Sequence, residues 1–252
     1  MRAVRFALLS WLVLLVGCAG SVSAPTPFAT AKTGRGPWAE VPAVEMPAGD
    51  NSIPIGLIRD VADAFLGRPG ARTCDPATLR PIQGLSTEYC AAVYVAGGRE
   101  ALSWRVSEPV RGSSSRCSAP QHVQDEDHPA SQVWVVGFIH NHPCGSPPSS
   151  VDLMAWPTDA IDPLTAMAVV RLVPGNPAPA LFKNLAIEMA SALVAERMDG
   201  TRVYLRYFPT GEVEQWSERR RTWVLLGTCT PTQSHLGAEP RCTNGPLRLL
   251  RE

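Results

Sequence analysis

The sequence predicts an α+β domain, α/β/α-like in its layering, built on a mixed β-sheet flanked by helices. Three observations predict it. Leu57, Ile58, Val61, Phe65 and Leu66 make an apolar stripe at helical spacing, ended by Gly67. Tyr89 to Ala96 and Val133 to Ile139 are continuous apolar runs, the pattern of strands buried on both faces. Val203, Leu205 and Tyr207 then alternate with other residues, as strands of a half-buried hairpin do.

Taken in order, the first segment is an export signal rather than part of the fold. Arg2 and Arg5 form a positive n-region, and Phe6 to Val16 an apolar stretch too short to span a bilayer. It runs into Leu15-Val16-Gly17-Cys18, which resembles a lipobox, so cleavage before Cys18 and a lipid on that thiol are expected. The alternative is an ordinary secretory signal cut near Ser21–Ala24. By resemblance to the bacterial sorting rule, Ala19 after the cysteine favours the outer membrane, facing the periplasm. Residues 18–50, rich in Pro, Ala, Ser and Thr, read as a flexible tether.

The helix at Leu57–Leu66 opens the folded body. Tyr89–Ala96 follows as a strand with a Gly97-Gly98 turn, and Leu102, Trp104 and Val106 return as the other half of a hairpin. Polar residues 112–131 read as an inserted loop. Val133–Ile139 is a central strand, His140–Asp152 a Gly- and Pro-rich loop, and Asp152–Trp156 the opening of a short helix before Pro157. A further strand is expected at Ala166–Val173. Residues 184–197 have mixed periodicity and fit helix or strand. Beyond Tyr207, Thr210-Gly211 turns into Val213–Trp216, and Trp223–Leu226 adds a last strand. The domain is expected over 51–216, with 217–252 as a C-terminal extension carrying a disulfide.

Whole-chain properties exclude some partners. Lys plus Arg total 23 and Asp plus Glu total 23, so nothing in the charge points to nucleic acid. Of seven cysteines, six remain once Cys18 is set aside, an even number that suits disulfides in an exported chain. Cys229 and Cys242 bracket a polar loop and are the best pair; the other connections stay open.

Chemistry concentrates at Gly137-Phe138-Ile139-His140-Asn141-His142-Pro143 and the loop after it. Histidines two apart at a strand end project to one face, where both imidazoles can reach one ion. Zinc suits imidazole nitrogen with carboxylate oxygen, and Asp152, where the loop returns, is the natural third ligand. Two core histidines, and an Asp152 that only caps a helix, are the plainer readings. The metal reading is preferred because all three residues recur in one short stretch.

These residues resemble the JAMM (MPN-plus) zinc metalloproteases, whose pattern is a glutamate on an earlier strand, His-x-His-Pro, a short loop and Ser-x-x-Asp. Here the pattern is Glu88, His140-Asn141-His142-Pro143 and Ser149-Ser150-Val151-Asp152, over about 53–208. The loop from His142 to Ser149 is one residue shorter than the usual form. Aligning Ser150 instead would keep the serine spacing and misplace the aspartate. The resemblance implies a core like that of JAMM proteins and cytidine deaminases, Zn2+ on His140, His142 and Asp152, Glu88 as general base then acid, and Ser149 donating to the oxyanion. The implied activity is a zinc metallopeptidase or isopeptidase acting on an envelope peptide or protein, held to the membrane by lipid on Cys18. A non-catalytic lipoprotein using the same fold for binding is the rival. A deaminase lacks its His-x-Glu and Cys-x-x-Cys here, and the neutral charge and export signal oppose an HNH nuclease. Cys144 is read as a disulfide partner rather than a thiolate ligand. His122, His128 and Asp125–Asp127 are read as a solvated loop, with a second ion site as the lesser alternative. Trp134 and Trp156 default to core packing, with a substrate-facing wall as the alternative for Trp156.

Overall fold

The computed structural model describes residues 43–45, 52–97, 102–157, 187–232 and 238–251. The signal segment 1–17, Cys18, nearly all of the tether 18–50 and the strand expected at 166–173 lie outside the described residues. In chain order the elements are β1 (Ala43–Glu45), α1 (Ile55–Leu66), β2 (Tyr89–Gly97), β3 (Leu102–Val106), β4 (Val110–Arg111), β5 (Val133–His142), α2 (Ser150–Met154), β6 (Ser191–Glu196), β7 (Arg202–Tyr207), β8 (Glu212–Ser217), β9 (Thr222–Thr230) and β10 (Arg241–Cys242). A 3-10 turn at Ala130–Gln132 leads into β5.

One ten-stranded sheet runs β1-β3-β2-β5-β6-β7-β8-β9-β10, with β4 paired to the start of β2. Every pairing is antiparallel except β5 with β6, which run parallel from Ile139–Ala192 to His142–Ala195. β2 and β5 are buried along their whole length, as their unbroken apolar runs require. α1 lays Leu57, Ile58, Val61, Phe65 and Leu66 onto one face, against Val93, Trp104, Ile139 and Val194 among others. Residues that alternate with these, including Ala92, Phe138, Leu193 and Leu205, point to the opposite face.

This architecture corrects the expected fold class. The sheet is not flanked by helices in the α/β/α manner of a JAMM or cytidine-deaminase core: among the described residues there are two α-helices, of 12 and 5 residues, against ten strands. The physical reason lies on the face opposite α1. Among the described residues it is covered chiefly by irregular chain, from the insertion 112–129 and the C-terminal residues, packed through Ala119, Val123, Leu247 and Leu249. Residues 191–196, ambiguous by periodicity, form a strand because Ala192 to Ala195 are buried on both faces.

Two boundaries also move. β5 continues through His140, Asn141 and His142, since β6 pairs with them, and the loop begins at Pro143, which has no N–H for a ladder. α2 starts at Ser150, so Asp152 sits in its first turn. Past residue 216 the sheet carries on, with β9 paired along β8 from Glu212–Thr228 to Ser217–Thr222. Three disulfides close the framework: Cys229–Cys242 across β9 and β10, Cys74–Cys144 and Cys90–Cys117.

Candidate metal centre

The site forms where β5 leaves the sheet. Cys90 of β2 is the cross-strand partner of His140, so both lie on the face away from α1, and Glu88, two residues before Cys90, opens onto the same cleft. The strand's alternation sends His140 and His142 to that face, with Nε2 atoms 3.1 Å apart. Asp152 comes to meet them from α2: Oδ1 lies 3.4 Å from His140 Nε2, and Oδ2 lies 3.6 Å from His142 Nε2.

Local sequence explains how Asp152 is held. Ser149 is the N-cap of α2 and forms a capping box with Asp152. Ser149 N–H and Oγ–H donate to Asp152 Oδ2 at 2.7 and 2.8 Å, and Ser149 Oγ accepts from Asp152 N–H. Capping and ligation, alternatives in the sequence, are therefore both available to this carboxylate. The Ser149 hydroxyl, expected to serve an oxyanion, here orients Asp152.

His142 has the outer partner that a ligand needs. Its Nδ1 lies 3.0 Å from Ser146 O and 2.9 Å from Ser146 Oγ, so Nδ1–H donates to the carbonyl and the Nε2 lone pair faces His140 and Asp152. Burial pushes the His142 pKa down to about 4, with His140 adding to the fall and Asp152 opposing it. Burial also disfavours charge on His140, but Asp152 and Glu88 outweigh it and the pKa is raised. Asp152 is desolvated too; His140, His142 and the Ser149 N–H nonetheless hold it well below the usual carboxylate range. Asp152 is thus held in its anionic form, and it favours charge on His140, where the three side chains converge. His140, His142 and Asp152 form a group that could hold a metal ion.

Glu88 is 7% exposed, and desolvation, with Asp152 adding to it, raises its pKa from 4.5 to about 7 against the pull of His140. It shares with the triad a cleft of about 540 Å³. One wall is the Cys90–Cys117 disulfide with Ser115 and Arg116; another is Pro147 and Pro148; a third comes from Ala238, Glu239, Pro240 and Leu247.

No family model, curated protein or solved structure matches this chain. The residues of the cleft and those that brace it therefore point to function, and the contacts of three of them were not legible in the sequence. Tyr207 of β7 lines the cleft, 1% exposed, with its pKa pushed far up by burial and by Asp152. Trp156 meets its ring edge-on at 5.8 Å and donates Nε1–H to Leu153 O, so it braces Tyr207 and α2. Ser150 is buried and docks α2 on the C-terminal residues: its N–H donates to Ala238 O, and its Oγ accepts from Thr232 N–H. No local pattern betrays these contacts, which join residues 82 apart in the case of Ser150 and Thr232.

Other candidates resolve differently. Cys144 is bonded to Cys74, which ties the loop after His142 to the segment after α1. Asp125 is not solvated. It is buried, accepts from Tyr94 Oη–H at 2.9 Å and pairs with Arg105 at 2.7 Å, while Arg105 also reaches Asp127. That network pins the 112–129 insertion to β2 and β3. His122 and His128 do not join it, and Trp134 is buried in the core.

Proposed function

We propose that the chain is a zinc-dependent metallopeptidase or isopeptidase of the bacterial envelope, tethered by lipid on Cys18 and acting on an envelope peptide or protein. The observation that carries this reading is the convergence of His140, His142 and Asp152. Zinc sits about 2.0–2.1 Å from nitrogen and oxygen ligands, so neighbours in a tetrahedron lie roughly 3.3–3.4 Å apart. The two Nε2 atoms lie 3.1 Å apart, and each faces a different Asp152 oxygen, Oδ1 at 3.4 Å from His140 and Oδ2 at 3.6 Å from His142, so the three side chains are within reach of one ion. Two imidazoles and one carboxylate are also the donor set of a catalytic rather than a closed structural zinc site. The order Glu88, His140-x-His142-Pro143, Ser149-x-x-Asp152 resembles the JAMM motif, and it is the motif rather than the fold that supports the family's chemistry here.

Zinc held by these three side chains would polarise the scissile carbonyl and acidify water. The chain's own part belongs first to Glu88, whose raised pKa suits a group that takes a proton from the attacking water and returns it to the leaving amine. Ser149 keeps Asp152 aimed at the histidines. Pro147, Pro148 and the Cys90–Cys117 disulfide line the cleft that would receive substrate. One observation favours a second reading, a non-catalytic binding lipoprotein: the Ser149 hydroxyl donates to Asp152 and not into the cleft.

The test is zinc content and peptide hydrolysis by oxidised protein lacking residues 1–18. About one zinc per chain is expected, lost in Asp152→Ala and retained in Glu88→Gln, with hydrolysis abolished in both. Protein that folds but takes up no zinc would remove the peptidase reading. Zinc binding without cleavage of any library peptide would favour the binding module.

A further inference from the structure

We propose that Asn141, the residue between the two histidine ligands, is a positioning residue that fixes Glu88 in register with them. The inference rests on the reading of Glu88 as the proton acceptor. Strand alternation turns the Asn141 side chain away from the cleft, to the face covered by α1, where it is 0% exposed. A buried primary amide is tolerated only when its donors and acceptor are satisfied. Asn141 Oδ1 accepts from Tyr89 N–H at 2.6 Å, and its Nδ2 donates to Ala71 O at 2.9 Å and Thr87 O at 3.2 Å.

Two of these bonds bracket Glu88. Thr87 O belongs to the peptide that enters Glu88, and Tyr89 N–H to the peptide that leaves it. The other halves of the same peptides are held from the opposite side: Glu88 N–H donates to Ser113 O, and Glu88 O accepts from Gly112 N–H, each at 2.7 Å. All four polar groups of the peptides flanking Glu88 are thus engaged, which leaves its backbone no free rotation. The β2–β5 ladder ends at Cys90–His140, two residues short of Glu88. Beyond that point the Asn141 side chain takes the ladder's place. Because its main chain is also paired to Val194 of β6, it ties Glu88 to the strand that carries both histidines. No other side chain of this size both donates to Thr87 O and accepts from Tyr89 N–H; aspartate lacks the donor and serine the reach.

Two measurements on the full-length protein test this. In Asn141→Ala and Asn141→Asp, kcat should fall about 100-fold while KM and zinc affinity stay within about threefold, the signature of a misplaced reacting group rather than a lost ligand. Loss of zinc affinity in step with kcat would overturn the proposal. Amide hydrogen exchange of the unmodified protein gives a readout independent of activity and of variant folding. Tyr89 N–H should be protected as well as the interior of β2; exchange at loop rates would overturn the proposal. A protein that binds zinc but cleaves nothing would instead remove the peptidase reading, and the exchange result would still decide whether Asn141 clamps the chain.

Discussion

A carboxyl group buried beside an anionic neighbour leaves its mark on stability, and Glu88 is the place to look. Its pKa rises from 4.5 to about 7 on folding, so the folded state binds its proton more tightly than the unfolded chain. The sign follows: metal-free protein loses stability as pH rises from about 4.5 to about 7, and the loss is complete above that. The shift corresponds to roughly 3 kcal/mol. Urea titrations of metal-free wild type and Glu88→Gln should diverge across that window, with the variant the more stable at pH 8; parallel curves would mean that Glu88 is solvated. Ser149 offers a second test at this scale. Ser149→Ala removes a helix cap, at about 1 kcal/mol, and the hydroxyl that holds Asp152 Oδ2. Metal affinity should fall about tenfold, as for other outer-shell partners, in a competition assay with a chromophoric chelator. An unchanged affinity would leave the hydroxyl free for substrate. His140, His142 and Asp152 were readable as a group because all three fall within 13 positions of one strand-to-helix turn. The clamp on Glu88 was not, since Asn141 reaches partners 52 to 70 residues away.

Among the elements, those with a clean period could be read and those held by distant partners could not. α1, β2, β3, β7 and β8 follow their apolar patterns. α2 differs, because a capping box at Ser149 sets its start rather than any apolar stripe. The insertion 112–129 reads as solvated polar loop, yet the Tyr94–Asp125–Arg105 network and the Cys90–Cys117 disulfide press it onto the sheet, where it walls the cleft. Both anchors depend on contacts that a local sequence window does not contain. The disulfide spans 27 residues and starts two residues from Glu88. Replacing both cysteines by alanine should lower stability by about 2–4 kcal/mol. It should also speed tryptic cleavage after the exposed Arg116, followed by mass spectrometry. Equal digestion rates would show that the Asp125 network alone holds the insertion down.

The molecule as a whole places its site between one strand end and its own C-terminal residues, and this explains why an α+β layering was the wrong expectation. A helical layer over the cleft face would occupy the space that 112–129 and 238–251 fill. From sequence, 217–252 is set apart from the domain as a C-terminal extension. The Cys229–Cys242 bond nevertheless turns the chain back, and Ala238, Glu239, Pro240 and Leu247 line the same cleft as the three candidate ligands. The coupling is specific: Ser150 N–H donates to Ala238 O at 2.7 Å, Thr232 N–H to Ser150 Oγ at 3.1 Å, and Leu250 N–H to Gln215 Oε1 at 2.7 Å. α2 has only five residues, too few to hold its own geometry in water, so these contacts must supply what helix propensity does not. Deleting 231–252, with Cys229→Ser to avoid a stray thiol, leaves His140, His142 and Asp152 in place. It should still weaken zinc binding by about tenfold or more, because Asp152 would ride on an undocked turn. Ser150→Ala should weaken it less, since the Ala238 contact uses the backbone. Isothermal titration with zinc separates the cases: undiminished affinity in the deletion would mean that the capping box alone fixes Asp152, and that the C-terminal residues shape the cleft for substrate rather than for metal.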